Sequence, residues 1–322
     1  MVKILTKNFI IRLILLLIFL ILFALFFPGP LAKDSKVVIN RGDSSSDIAL
    51  SLRKQGALYN KYLFVIGVKV FGLTTDFPYG EYKLPQYVNL YSLLFNTIKP
   101  NNAIYYKILL IEGYTVKQAL QIIKEDNNLD GELTIIPPEG SLMPNTYFFI
   151  RGETKNSIVI RMQKSMEEYL ERAWQNRAEK LPYKNKEQVL IMASLIEKET
   201  TLKAERPTVA SVFLNRLRIG MRLQTDPTIA YALGRLSGEG LTREDLKFNS
   251  PYNTYLHYGL PPKPIANPSK TSIDAALNPA KTSYLYFVAD GKGGHLFGNT
   301  LIEHNENVKK WREIERSFKL QK

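Results

Sequence analysis

Two glutamates, Glu197 and Glu199, lie in the run EQVLIMASLIEKETT (187 to 201), where the residues before them could only make a buried helix. Val189, Leu190, Ile191, Met192, Ala193, Leu195 and Ile196 make that segment apolar on most sides. A carboxylate in such surroundings is costly unless it is paired or stays protonated. A glutamic acid that keeps its proton near neutral pH is a general acid. Projected at about 100° per residue, Glu197 falls between Ala193 and Leu190, and Glu199 between Leu195 and Met192. The spacing therefore predicts an unusual acid on this helix and does not choose between the two.

Downstream lie groups suited to holding a polar ligand. Gln224, Thr225 and Asp226 precede Pro227 at a helix start, which makes Asp226 the expected N-cap and Pro227 the first helical residue. Gln224 and Thr225 are uncharged hydrogen-bonders suited to N-acetyl or hydroxyl groups. In YNTY (252 to 255), Asn253 and Tyr255 offer the amide and amphipathic ring that sugar clefts employ, with turn formation as the competing role for the asparagine. Other chemistries lack their residues. The three histidines, His257, His295 and His304, have no HExxH-type spacing, no GxSxG string occurs, and there is no cysteine. No metal and no cofactor are expected.

The elements that must position these groups can be read from caps and periodicity. Asn185, with Gln188 three residues on, is expected to start the glutamate helix, and Pro182 marks the break before it. Residues 37–40 read as a strand, Arg41-Gly42-Asp43 as a turn, and Ser44 with Asp47 as a capping box for a helix through Gln55. A similar string recurs 71 residues later, with a strand at 107–111, a turn at Glu112-Gly113, Thr115 as cap and a helix over 116–124; Gly113 aligns with Gly42. Residues 135–150 read as strand, Pro/Gly turn and strand, 157–174 as helix, and 284–288 as a strand leading through a glycine-rich hairpin loop to His295.

Residues 9–27 are apolar except for Arg12, long enough to cross a hydrocarbon core of roughly 30 Å. A cleaved signal peptide competes, but the uninterrupted stretch Leu13 to Phe27 is at the long limit for one, so an uncleaved anchor is expected. Lys3, Lys7 and Arg12 at its front favour a cytoplasmic N-terminus and a single-pass protein of the cell (inner) membrane, its catalytic part extracytoplasmic. The chain carries +13, and 38 Lys and Arg against 29 Asp and Glu remain after residue 36. Outside a membrane, such a balance suits wall polymers or lipid headgroups and not nucleic acid.

The strings ASLIEKET (193 to 200), ASVFLNRLRIGMRLQTDPT (210 to 228), YNTY, GLPPKPIANP (259 to 268) and PAKTSYLYFVADGKGGH (279 to 295) resemble the endolytic murein transglycosylases, the MltG or YceG-like family. The resemblance implies that the first glutamate of the EKE string, Glu197, is catalytic; Lys198 and Glu199 are then expected in supporting ion pairs, and Asp226 supports as the cap. It also implies cleavage of the MurNAc–GlcNAc bond within nascent peptidoglycan, with 1,6-anhydro ends, limiting glycan length near the synthases that extend it. A non-enzymatic wall-binding scaffold is the alternative. The expected architecture is α+β, short antiparallel strands with helices packed to one side. A cytoplasmic tail (1–8), a transmembrane helix (9–27) and a linker (28–36) precede a module (37–106) whose start resembles the opening half of LysM. A transglycosylase domain (107–322) follows, its catalytic core from about 181.

Overall fold

A computed structural model describes residues 2–73, 77–235 and 240–320 as mixed α and β. The chain divides into two compact units: Met1–Lys107 with Asp126–Gly131 and Phe148–Thr154, and Ile108–Glu125 with Glu132–Tyr147 and Lys155–Lys322.

In the first unit, α1 (Val2–Phe26) contains the stretch Asn8–Phe26, with a mean hydropathy of 3.2 and none of it buried. It is long and apolar enough to cross a membrane. Then come β1 (Ser35–Ile39), α2 (Ser45–Lys54), α3 (Lys61–Val70), β2 (Gly80–Leu84) and the short α4 (Leu90–Ser92), which runs on as a π turn through Thr97. Strands β1 and β2 pair antiparallel, with Val37 opposite Tyr82. The capping box between Ser44 and Asp47 forms as expected. Val37, Ile39, Ile48, Leu52, Phe64, Val68, Tyr82 and Leu84 fill the space between the strands and the two helices. Gly42 and its repeat partner Gly113 both adopt positive φ, 88° and 76°, as the turn between strand and helix requires.

Strands β3 (Tyr105–Leu109) and β4 (Thr146–Ile150) pair with each other, and the division between the units falls within both. The second unit also holds α5 (Val116–Glu125), α6 (Lys155–Gln175), α7 (Lys186–Glu199), α8 (Arg206–Arg218), α9 (Asp226–Ala232), α10 (Lys270–Leu277), the hairpin β5 (Tyr286–Ala289) and β6 (His295–Gly298), and α11 (Leu301–Leu320). Asn185 caps α7 by accepting from the Gln188 amide. The helix then runs between α8, α10, α6 and α9, with Val189, Met192, Ala193, Leu195 and Ile196 wholly buried. Apolar residues all round a helix are what such a central position demands.

Three expectations are corrected. The described strands form three separate two-stranded sheets, so no single sheet backs the helices on one side. Residues 135–138 form no strand; the Thr134 and Ile135 amides donate to the Asn156 side chain, and Ile136 is 84% exposed. Helix α9 begins one residue early: Thr225 is its N-cap position, Asp226 the first helical residue and Pro227 the second. The Thr225 hydroxyl makes no capping bond because it is committed elsewhere.

Candidate active site

The last turn of α7 holds Glu197, Lys198 and Glu199, of which Glu197 and Lys198 line two clefts of the second unit. One, of about 670 Å³, is lined by Glu112, Asn145, Thr146, Glu197, Lys198 and Arg206, among others. The other, of about 700 Å³, is bordered by Thr115, Gln118, Glu139, Lys198, Asp226 and Tyr231 among others. Lys198 stands on the rim of both. Its amine donates to the Gly113 carbonyl at 3.5 Å, and burial lowers its pKa against the opposing pull of Glu197. A Cβ on Gly113 would lie 3.6 Å from both the Glu197 and Lys198 side chains, so the repeated turn also shapes this rim.

The two glutamates have different surroundings. Only 4% of the Glu197 side chain is exposed. Its Oε1 accepts from the buried Arg206 guanidinium at 2.8 Å, and its Oε2 accepts from the Ser269 amide at 2.8 Å and the Ser269 hydroxyl at 2.5 Å. Each of these partners donates to a carboxyl oxygen. Arg206 is fixed in turn by Ser269, by Thr271 and, at 3.8 Å, by Glu112.

Among the described residues, Glu199 has no such cation within ion-pairing distance, and its one side-chain hydrogen bond is donated by the Thr225 hydroxyl. As a whole residue it is half-buried, as Glu197 is, but its carboxyl is enclosed by protein. Burial pushes its carboxyl up from an ordinary 4.5 to about 7; Asp226 adds to the rise, while Thr225, His295 and Arg216 oppose it. At near-neutral pH this side chain can carry a proton and release it, as a general acid must.

The other expected site residues separate into those facing solvent and those holding the site together. Gln224 is exposed, and its φ of 49° is an uncommon left-handed conformation for a residue with a side chain. Thr225 is 1% exposed and positions Glu199, so the expectation of a sugar contact does not fit it. Asn253 is fully buried: its amide donates to the Leu246 and Phe248 carbonyls at 3.0 and 2.8 Å, and its carbonyl accepts from the Tyr255 amide. With its polar atoms taken by backbone, it shapes a turn, which is the competing role and not the sugar contact. The Tyr255 hydroxyl donates to Asp226 at 2.6 Å, joining the YNTY loop to the start of α9.

The structure also adds residues that the sequence did not single out. Arg206 and Ser269 lie 9 and 72 positions from Glu197, and only the tertiary fold brings the serine there. Glu139 accepts from the Val116 amide at 2.8 Å and from the Tyr231 hydroxyl at 3.3 Å; burial raises its carboxyl. Glu205 binds His295 through both backbone and ring, tying β6 to the start of α8. The one available signal was local, the string Glu205-Arg206-Pro207 at a helix start soon after the acidic turn.

The family model of the YceG-like family matches residues 37–310. The chain belongs to that family. An endolytic murein transglycosylase of Bacillus subtilis (strain 168) is 36% identical over 320 residues, covering 88% of this chain and 87% of its own length. One of Streptococcus pneumoniae serotype 2 (strain D39) is 28% identical over 329 residues, covering 87% of this chain and 59% of its own. A 2.6 Å crystal structure of a yceG-like protein from Listeria monocytogenes superposes with a TM-score of 0.54 at 32% identity, covering 85% of this chain and 99% of that one.

Proposed function

We propose that this member of the family is an endolytic murein transglycosylase: it cuts the MurNAc–GlcNAc bond inside peptidoglycan strands and leaves 1,6-anhydro-MurNAc ends. The observation that carries the reading is the acidic turn Glu197-Lys198-Glu199 that ends a buried apolar helix beside two clefts, in a chain 36% identical to an endolytic murein transglycosylase; within it, the buried Glu199 carboxyl is raised to about 7. The family resemblance implied Glu197 as the acid, where the helical spacing left both glutamates open. The Glu197 carboxyl accepts three hydrogen bonds, one from Arg206 and two from Ser269, which suits a positioning role. We assign the proton to Glu199, and to Glu197 the task of fixing Arg206, Ser269 and the last turn of α7.

Glu199 donates its proton to the glycosidic oxygen as the bond from the anomeric carbon of N-acetylmuramic acid breaks. The resulting carboxylate accepts the proton of that sugar's 6-hydroxyl, whose oxygen closes on the anomeric carbon. One carboxyl serves both steps, and ring closure gains from the effective molarity of an intramolecular nucleophile. The clefts on either side of Lys198 suit a strand entering and leaving, as cleavage within a chain needs.

The strand–helix–helix–strand order of the first unit, with β1 and β2 antiparallel, supports a LysM-like glycan-holding role for it. The apolar α1 supports a single-pass anchor, and Lys3, Lys7 and Arg12 at its front support a cytoplasmic N-terminus, a topology that suits work on nascent strands near their synthases. The test is incubation of the detergent-solubilised full chain with peptidoglycan. Anhydro-ended fragments of internal cleavage support the assignment; reducing ends alone indicate hydrolysis, and no release indicates a scaffold.

A further inference from the structure

Helix α3 is apolar on both faces. Phe64 and Val68 are wholly buried in the core of the first unit, while on the opposite side Tyr62, Ile66 and Val70 form an i, i+4, i+8 stripe with 62%, 56% and 72% of their surface exposed. Leu63 and Phe71 widen it, at 43% and 44% exposed. An exposed apolar stripe on a helix already anchored by its other face is costly in water and marks a surface with an occupant.

The occupant follows from what the two ends of α3 touch. Tyr59, just before α3, lies 6.1 Å from the ring of Phe27, immediately after the last turn of α1. At the other end, Phe71 packs edge-on against Phe95 at 5.1 Å, Phe95 against Tyr91 at 5.0 Å, and Tyr91 stacks on Phe26 at 4.9 Å. Both ends of α3 thus connect through rings to the point where α1 leaves its apolar stretch. If α1 spans the bilayer, that point is the membrane–water interface, the level at which tyrosines concentrate and lysines extend toward headgroups. Lys61 and Lys69 flank the stripe, and the Lys61 amine lies 5.2 Å above the Tyr62 ring.

We propose that α3 is a second membrane contact: it lies in the interface with Tyr62, Ile66 and Val70 toward the acyl chains and Lys61 and Lys69 toward lipid phosphates. This rests on the reading of α1 as a membrane span. Two contacts instead of one restrict the rotation and tilt of the first unit about α1, holding it against the surface where nascent glycan emerges.

The chain has no cysteine, so single cysteines at Leu22, Ile66 and Val70 can each carry a nitroxide in the full chain, reconstituted in phosphatidylethanolamine–phosphatidylglycerol nanodiscs. Dissolved oxygen partitions into lipid and a nickel chelate stays in water, so their relative collision rates report depth. The expected result is oxygen-dominated collision at Leu22 and also at Ile66 and Val70, with the latter two shallower. Nickel-dominated collision at Ile66 and Val70 beside a lipid-exposed Leu22 overturns the proposal and leaves the anchor standing. Shielding of both positions from both reagents overturns it in favour of a protein partner. A water-exposed Leu22 removes the anchor and this inference together.

Discussion

Replacing Glu199 with glutamine separates the two glutamates by a physical signature as well as by activity. The glutamine keeps an oxygen to accept from Thr225 but has no proton to give and no charge to bury. Loss of a general acid costs about 10²- to 10⁴-fold in rate. The second readout is stability. A carboxyl raised from 4.5 to about 7 by folding binds more protons in the native state than in the unfolded one between those values. Its contribution is complete below about pH 4.5 and is lost as pH rises through about 7, a change of about 3 kcal/mol for this group. The variant lacks that loss, so its stability relative to wild type should rise by about 3 kcal/mol, roughly 6–12 °C in Tm, between pH 4.5 and 8. Both tryptophans, Trp174 and Trp311, lie in the second unit, so their fluorescence follows unfolding of the unit that holds the site. Glu199→Gln with full anhydro-product formation, or with a Tm difference from wild type that does not change with pH, would refute the assignment of the proton to Glu199.

The same assignment places the basic limb of the wild-type pH–rate profile near 7, activity falling as pH rises and the acid loses its proton. Thr225→Val removes the hydrogen bond that stabilises the ionised form, so the limb should move to higher pH; a shift downward contradicts the geometry. Glu197→Gln breaks a buried pair and leaves Arg206 poorly compensated, which should cost about 3–5 kcal/mol in a denaturant titration, while activity per folded molecule falls less than in Glu199→Gln. Asn253→Ala orphans two backbone carbonyls and should lower stability by about 1–3 kcal/mol with KM nearly unchanged. A raised KM without a stability loss would return that residue to the substrate.

Local rules carried the sequence reading wherever one segment decided the outcome. The caps at Ser44 and Asn185 are set by contacts within a few residues and formed where the pattern placed them, whereas α1 runs Val2–Phe26 against an expected 9–27 and β5 Tyr286–Ala289 against an expected 284–288. The reading slipped where a side chain had a distant competitor. Thr225 gives its hydroxyl to Glu199 instead of to the helix that starts beside it, and residues 134 and 135 find Asn156 instead of a neighbouring strand.

The sequence alone determined that two acids would leave an apolar helix together, and that the chemistry available was that of carboxyl, amide and hydroxyl groups. It could not rank Glu197 against Glu199, since a helical wheel counts apolar neighbours on one element. Tertiary structure separates them by bringing Arg206 and Ser269 to one glutamate and a threonine hydroxyl to the other, and our proposed ranking rests on that difference. A carboxyl's proton affinity depends on the charges and donors around it, and those arrive from segments that the fold alone brings together.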